Sequence, residues 1–108
     1  MFAPYAASKA AVISITQSAA AALAPDITVN CVCPGAVDTA MWEQIDAEWG
    51  ELDGREKGEV WRQRIAPIPL GRAQTPDDVA GVFAFLAGPD GSYITGQLVT
   101  VDGGLVMG

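Results

Sequence analysis

Ile27-Thr28-Val29-Asn30-Cys31-Val32-Cys33, closed by Pro34-Gly35, is the stretch that decides the fold. It is short, β-branched and mostly apolar, and it stops at a Pro-Gly turn signal. That pattern predicts a strand over 27–33 buried on both faces, as in a parallel sheet. On its N-terminal side, Pro4 suits the first turn of a helix, where its missing N–H costs nothing. The helix is predicted to run to Leu23 or Ala24, because Pro25 disfavours helical geometry in the residue before it. Alanines at 6, 7, 10, 11 and 19–22 make it a smooth rod with few charges. Such a rod is expected to be covered on more than one side, by a sheet and by a partner helix. A helix leading by a short connection into a buried strand is an α/β pattern.

On the C-terminal side, residues 36–70 differ in character. They hold Trp42, Trp49 and Trp61 and a run of acidic residues. One or two short helices are predicted here, broken by Gly50, Gly54 and Gly58 and closed by Pro67 and Pro69. A connection this long reads as a lid or binding loop. Thr75-Pro76-Asp77-Asp78 is a helix start: a capping Thr, a Pro at the first helical position and two carboxylates matched to the dipole. Val79, Val82, Phe83 and Leu86 follow at helical spacing, and Gly88-Pro89 ends the helix. Gln97 to Val101 is a second short β-branched run, closed by Asp102-Gly103-Gly104. Strand, crossover and strand make one βαβ unit, expected to be right-handed.

The chain has 108 residues, room for one domain at most. Half of them are hydrophobic and the mean hydropathy is +0.25, a composition that suits a slice from the inside of a larger domain. Thirteen acidic residues against six basic ones give a net charge of −7. Phosphate backbones and anionic membrane surfaces would be repelled, so neither nucleic acid nor membrane is an expected partner. The most apolar run, Ala10 to Ala24, is too polar and too short to span a bilayer, and Met1 to Tyr5 lack a basic leader region. Cys31 and Cys33, two apart on the predicted strand, point to one face and read as small buried apolar side chains. A disulfide between them is at the edge of bridging geometry. Two cysteines without histidine are too few for zinc, so no metal is expected, and the usage suits a reducing cytoplasm.

Tyr5 and Lys9 carry the candidate chemistry. Four residues apart on the first helix, they stand on one face. The ammonium favours the ionised phenol, which makes the two a candidate proton-transfer pair. The chain has no histidine to compete for that role. The alternative is a solvated pair near a terminus.

Four features in order resemble the short-chain dehydrogenase/reductase family. They are Tyr5-x-x-x-Lys9 with Ser8 before the lysine; the strand ending Pro34-Gly35-Ala36-Val37-Asp38-Thr39; Leu70-Gly71-Arg72 leading to Pro76-Asp77-Asp78-Val79-Ala80; and Ile94-Thr95-Gly96-Gln97 leading to Val101-Asp102-Gly103-Gly104. The resemblance spans the whole chain. It implies an incomplete α/β fold, the C-terminal part of a doubly wound parallel-sheet, Rossmann-like domain. Residues 1–108 would be the C-terminal fragment of a dinucleotide-binding oxidoreductase domain, with 36–70 as the substrate lid. The family's Gly-rich phosphate turn, its catalytic Ser and a supporting Asn are expected before Met1. In one departure, Leu23-Ala24-Pro25-Asp26 runs directly into Ile27, where family members usually have one more residue.

By resemblance, Tyr5 exchanges the proton at the substrate oxygen, and Lys9 tunes the tyrosine and bonds the nicotinamide ribose. Tyr5, Lys9, Pro34, Gly35, Val37 and Thr39 would then contact the cofactor, NAD or NADP. Val37 would offer backbone groups to its carboxamide and Thr39 its hydroxyl. Met41-Trp42 and the acidic insert look most like sorbitol dehydrogenases and acetoin or diacetyl reductases of the family. That implies a small hydroxy or keto substrate walled by Met41 and Trp42. The function implied is NAD(P)-dependent interconversion of a secondary alcohol, a polyol or diol, and a ketone by a longer parent. The parent is expected to assemble as a homo-oligomer through the 5–24 helix. The isolated chain is expected to be inactive. The alternative is a non-catalytic fragment serving as an interaction or oligomerisation module.

Overall fold

The computed structural model describes residues 3–107; Met1 and Phe2, part of the stretch read for a leader, and Gly108 lie outside the described residues. In chain order the elements are α1 (Ala3–Leu23), β1 (Cys31–Pro34), α2 (Ala40–Asp53), α3 (Glu59–Ile65), α4 (Pro76–Ala87), a 3-10 turn (Pro89–Gly91) and β2 (Leu98–Val101). β1 and β2 form a two-stranded sheet. Cys31 N–H donates to Gln97 O and Gly35 N–H to Val101 O, both at 2.9 Å. The partner advances in step with the donor, so the strands are parallel, and β1, crossover helices and β2 form the expected βαβ arrangement. No helix among the described residues is long and apolar enough to cross a membrane.

The chain divides into two compact units. The first comprises residues 3–33 with Gly81–Val99. Its long element, α1, ends at Leu23 as predicted, where Leu23 O accepts the N–H groups of Asp26 and Ile27 at 3.1 Å and closes the short turn into the strand. α1 is far less covered than expected: only Thr16 and Ala20 are buried. The backbone that approaches Ala20 is that of Gly96, whose φ is +71° and at which an added Cβ would come within 3.5 Å of the Ala20 Cβ. Among the described residues, this chain does not supply the sheet face and partner helix that would cover the rest.

The strand is also shorter than predicted and half-buried rather than buried. Residues 27–30 lie outside the regular ladder: one backbone bond, Gly96 N–H to Val29 O at 2.7 Å, is joined there by side-chain bonds. Val29 N–H donates to Thr95 Oγ1 at 3.0 Å, while Asn30 donates from Nδ2 to Ile94 O at 2.8 Å and accepts at Oδ1 from Gln97 N–H at 3.1 Å. With a single neighbouring strand, neither face is closed. For the same reason Cys31 and Cys33 are half-buried, and both are free thiols. Burial, then the neighbouring Cys31, pushes the Cys33 thiol up from its ordinary value. Val82 and Leu86 are half-buried on α4, whereas Phe83, grouped with them by spacing, is 57% exposed.

The second unit comprises Pro34–Ala80 with residues 100–107. α2 and α3 form the predicted helical pair within residues 36–70. Gly54 ends α2 and Gly58 starts α3, both in the left-handed region where glycine is favoured. Gly50 is not a break: it sits inside α2, buried, and its carbonyl accepts Arg55 N–H at 2.8 Å.

The start of α4 is built as its sequence suggests. Thr75 Oγ1 accepts Asp78 N–H at 3.3 Å, and Asp78 Oδ2 accepts Thr75 N–H at 2.8 Å, a reciprocal cap. Arg72 grips the same carboxylate with two nitrogens, at 2.6 and 2.9 Å. The Arg72 guanidinium, helped by Thr75, holds the Asp78 carboxyl well below the usual carboxylate range. Thr75→Ala removes one side of the cap and is expected to cost about 1 kcal/mol of α4 stability. Amide exchange in the first turn of α4 should then quicken about fivefold; an unchanged rate would refute the cap's contribution.

Candidate active site

The segment leaving β1 is the best-defined part of the candidate site. Gly35 passes so close to Asp102 that a Cβ on it would lie 2.8 Å from the Asp102 Cβ and 2.9 Å from its Cα. Glycine is therefore required at 35 by the chain itself. The Gly35 N–H donates both to Val101 O at 2.9 Å and to Gln74 Oε1 at 3.1 Å. Beyond it, Val37 forms a parallel bridge with Gln74. Gln74 N–H donates to Ala36 O at 3.0 Å, and Asp38 N–H donates to Gln74 O at 2.8 Å.

A trans peptide points its C=O and N–H in opposite directions within one plane. The Ala36 carbonyl faces Gln74, so the Val37 N–H faces away from it. The Asp38 N–H faces Gln74, so the Val37 C=O faces away as well. Val37 thus presents both backbone groups along the edge opposite Gln74, past Val101, the last residue of β2. Pro34 is exposed, and Gly35, Val37 and Thr39 are half-buried. All four belong to the second unit.

Tyr5 and Lys9 belong to the first unit, on the exposed N-terminal part of α1. The Lys9 Nζ lies 5.3 Å from the centre of the Tyr5 ring, over its face. The one-face placement expected from their spacing is present, as a cation–π contact. Ser8 between them donates its hydroxyl to Tyr5 O at 2.7 Å, turned back onto the helix. Tyr5 itself is 62% exposed.

Between the two helices, Trp42 on α2 meets Trp61 on α3, with ring centres 5.1 Å apart and planes tilted by 45°. The Arg64 guanidinium sits 5.7 Å from the centre of the Trp42 ring. Trp42 therefore anchors the two helices to each other. It also lines an open pocket of about 440 Å³ with Asp38, Glu43, Lys57 and Trp61. Met41 lies outside that lining and is largely exposed.

Two residues that organise the site escaped the sequence reading. Gln74 has no motif; its only signal is a polar residue directly before a helix cap. Asp46 belongs by sequence to the acidic run of the insert, yet it is buried. Its carboxylate accepts Gly58 N–H at 2.6 Å and Trp61 N–H at 3.0 Å, and so caps α3 from α2. Those two N–H groups, Gly58 first, lower its carboxyl below the usual value. No group of three or more His, Cys, Asp or Glu that could hold a metal occurs among the described residues.

A family model described as enoyl-(acyl carrier protein) reductase matches residues 1–106. The L-2,3-butanediol dehydrogenase of Corynebacterium glutamicum is 48% identical over 103 residues, which are 94% of this chain and 40% of that protein. A diacetyl reductase, (S)-acetoin forming, of Staphylococcus epidermidis is 49% identical over 104 residues, 94% of this chain and 40% of that protein. Among solved structures, an actinorhodin polyketide ketoreductase with NADPH superposes with a TM-score of 0.86 at 38% identity, covering 95% of this chain and 40% of its own. The chain spans about 40% of the length of the curated relatives it matches.

The contact at Gly35 has a direct test. Gly35→Ala must displace the Asp102 backbone and is expected to destabilise the chain by about 1–3 kcal/mol, as overpacking does. The midpoint of urea unfolding reads this; a midpoint equal to that of the unsubstituted chain would rule out so close an approach.

Proposed function

The chain belongs to the short-chain dehydrogenase/reductase family, and from that membership we propose that it forms the C-terminal part of an NAD(P)-dependent oxidoreductase. Its reaction interconverts a secondary alcohol, a small diol or polyol, and the corresponding ketone. The observation that carries this reading is the pair of Val37 backbone groups turned along one edge beyond the end of β2. A crevice past the carboxyl ends of parallel strands is where α/β sheets take dinucleotides. A donor and an acceptor side by side suit the carboxamide of a nicotinamide, which offers the complementary pair. Pro34, Gly35, Val37 and Thr39 would form that wall, and Lys9 would bond the ribose. When bound, the cofactor supplies or accepts the hydride at the carbinol carbon.

The protein's own part is the proton. In reduction the Tyr5 phenol gives its proton to the carbonyl oxygen, and in oxidation it takes the proton back from the alcohol. The Lys9 ammonium, held over the same ring, offsets the negative charge left on Tyr5. Residues 36–70 act as the substrate lid, with Met41 and Trp42 as the apolar wall. The butanediol and diacetyl activities in the names of the relatives support a small, uncharged diol or diketone as substrate.

The scarcity of core supports a longer parent. Half the sequence is hydrophobic, yet among the described residues Ala20, Ala36, Val60 and Ile68 are the buried hydrophobics. The 5–24 helix would then pair with a second copy, a reading supported by Val12 and Ile15, which stand 49% and 66% exposed. The same exposed row favours the alternative, a non-catalytic interaction module.

Replacing the matching stretch of the Corynebacterium butanediol dehydrogenase with this chain separates the two. The chimera is expected to reduce diacetyl with NADH, and Tyr5→Phe in it to lower kcat at least about 100-fold without weakening NADH binding. A chimera that binds NADH but never turns over, or a Tyr5→Phe variant that stays active, would sink the catalytic reading. The 108-residue chain alone is expected to show no saturable NADH binding. Ile15→Glu should shift the sedimentation coefficient of the assembled chimera toward that of a monomer; an unchanged coefficient counts against pairing through α1.

A further inference from the structure

Gln74 holds three peptides of the segment after β1 and is itself only 8% exposed. Its backbone N–H binds Ala36 O at 3.0 Å, which fixes the peptide plane that carries the Val37 N–H. Its backbone C=O binds Asp38 N–H at 2.8 Å, which fixes the plane that carries the Val37 C=O. Any residue at 74 other than proline could make those two bonds. The third is made by the side chain: Gln74 Oε1 accepts Gly35 N–H at 3.1 Å. It adds a second acceptor to the peptide that passes against Asp102.

Gln74 is in turn held from the other side. Thr75, next in the chain, is locked to Asp78 by the reciprocal cap, and Arg72 grips Asp78 through two nitrogens. The main chain around Gln74 is therefore tied into the start of α4, and its carboxamide reaches from there to Gly35.

We propose that Gln74 is a positioning residue for the nicotinamide dinucleotide. It fixes the orientation of the Gly35–Val37 peptides, so that the Val37 N–H and C=O are set before the cofactor arrives. This rests on the reading that Pro34, Gly35, Val37 and Thr39 wall the nicotinamide. Gln74 does not touch the reacting atoms, so its effect falls on cofactor binding and not on proton or hydride transfer. Preorganised groups bind more tightly because less ordering is left to do on association.

Two substitutions isolate the side-chain bond. Gln74→Leu keeps the size and both main-chain bonds but removes the acceptor; Gln74→Glu keeps the acceptor. In the 108-residue chain, Gln74→Leu is expected to speed exchange of the Gly35 amide about tenfold, and Gln74→Glu to restore it to within about twofold. The Gly58 amide, bound by Asp46, serves as the control for general loosening and should not change. In the chimera, Gln74→Leu is expected to raise KM for NADH about tenfold with kcat within about twofold, and Gln74→Glu to reverse the rise. An unchanged Gly35 exchange rate, or an unchanged KM in a chimera that turns over, would overturn the role of Gln74 alone. A chimera of the unsubstituted chain that binds no NADH would overturn the oxidoreductase reading itself, and the cofactor role of Gln74 with it.

Discussion

The second unit depends on one steric constraint, the contact of Gly35 with the Asp102 backbone. No side chain fits between them, since a Cβ at 35 would lie 2.8 Å from the Asp102 Cβ. The contact holds the start of the segment after β1 against the turn after β2. Once they are that close, the Gly35 N–H can share itself between Val101 O and Gln74 Oε1. The next residues then pair with Gln74, and Val37 turns its own backbone groups to the opposite edge. The orientation on which the cofactor proposal rests therefore begins with the absence of a side chain two residues earlier. Close approach to a ligand and close approach to the chain itself are different demands on a glycine, and here the second is met without any ligand.

Polar side chains do the work of regular structure at three places. Asn30 spans the gap before the β1 ladder begins, Asp46 caps α3 from α2, and Gln74 ties the start of α4 to the segment after β1. Asn30 and Asp46 satisfy backbone N–H groups that no strand partner reaches, and Gln74 adds a second acceptor to one that β2 already holds. A two-stranded sheet and short helices leave many such groups, so the chain has to answer them one by one. Asn30 and Gln74 are uncharged, and at Asp46 the Gly58 and Trp61 N–H groups outweigh the charge of Arg62. The arrangement is geometric, and salt should disturb it little.

The elements were legible where local chemistry decides them. Pro25 marked the end of α1, Thr75-Pro76 marked the start of α4, and the β-branched runs marked both strands. Pattern failed where burial depended on neighbours. Phe83 shares helical spacing with Val82 and Leu86 yet is exposed, and residues 27–30 look like strand yet are held by a single backbone bond and by side chains rather than a regular ladder. Gly50 looked like a break because glycine weakens helices, but α2 continues through it and ends only at the left-handed Gly54. The parts of the candidate site carried by motif, Tyr5-x-x-x-Lys9 and Pro34-Gly35, could be named from sequence. Gln74 and Asp46 could not, because their roles exist only after distant backbone is brought to them.

The two halves of the proposed chemistry are held by independent means. Tyr5 and Lys9 are brought together by helix periodicity alone, and any helix over 5–9 would do the same. The Val37 edge needs the sheet, the glycine contact and Gln74 together, and it cannot survive the loss of the fold around it. Acid–base pairs of the first kind are easily generated and are weak evidence of function on their own. An edge of the second kind is demanding to build, and for that reason it carries the weight of the oxidoreductase proposal. The same asymmetry says where substitutions will separate binding from chemistry. On the proposed reading, changes at Tyr5 would strike the proton and changes around Gln74 the cofactor, while Lys9, placed at both, would bear on each.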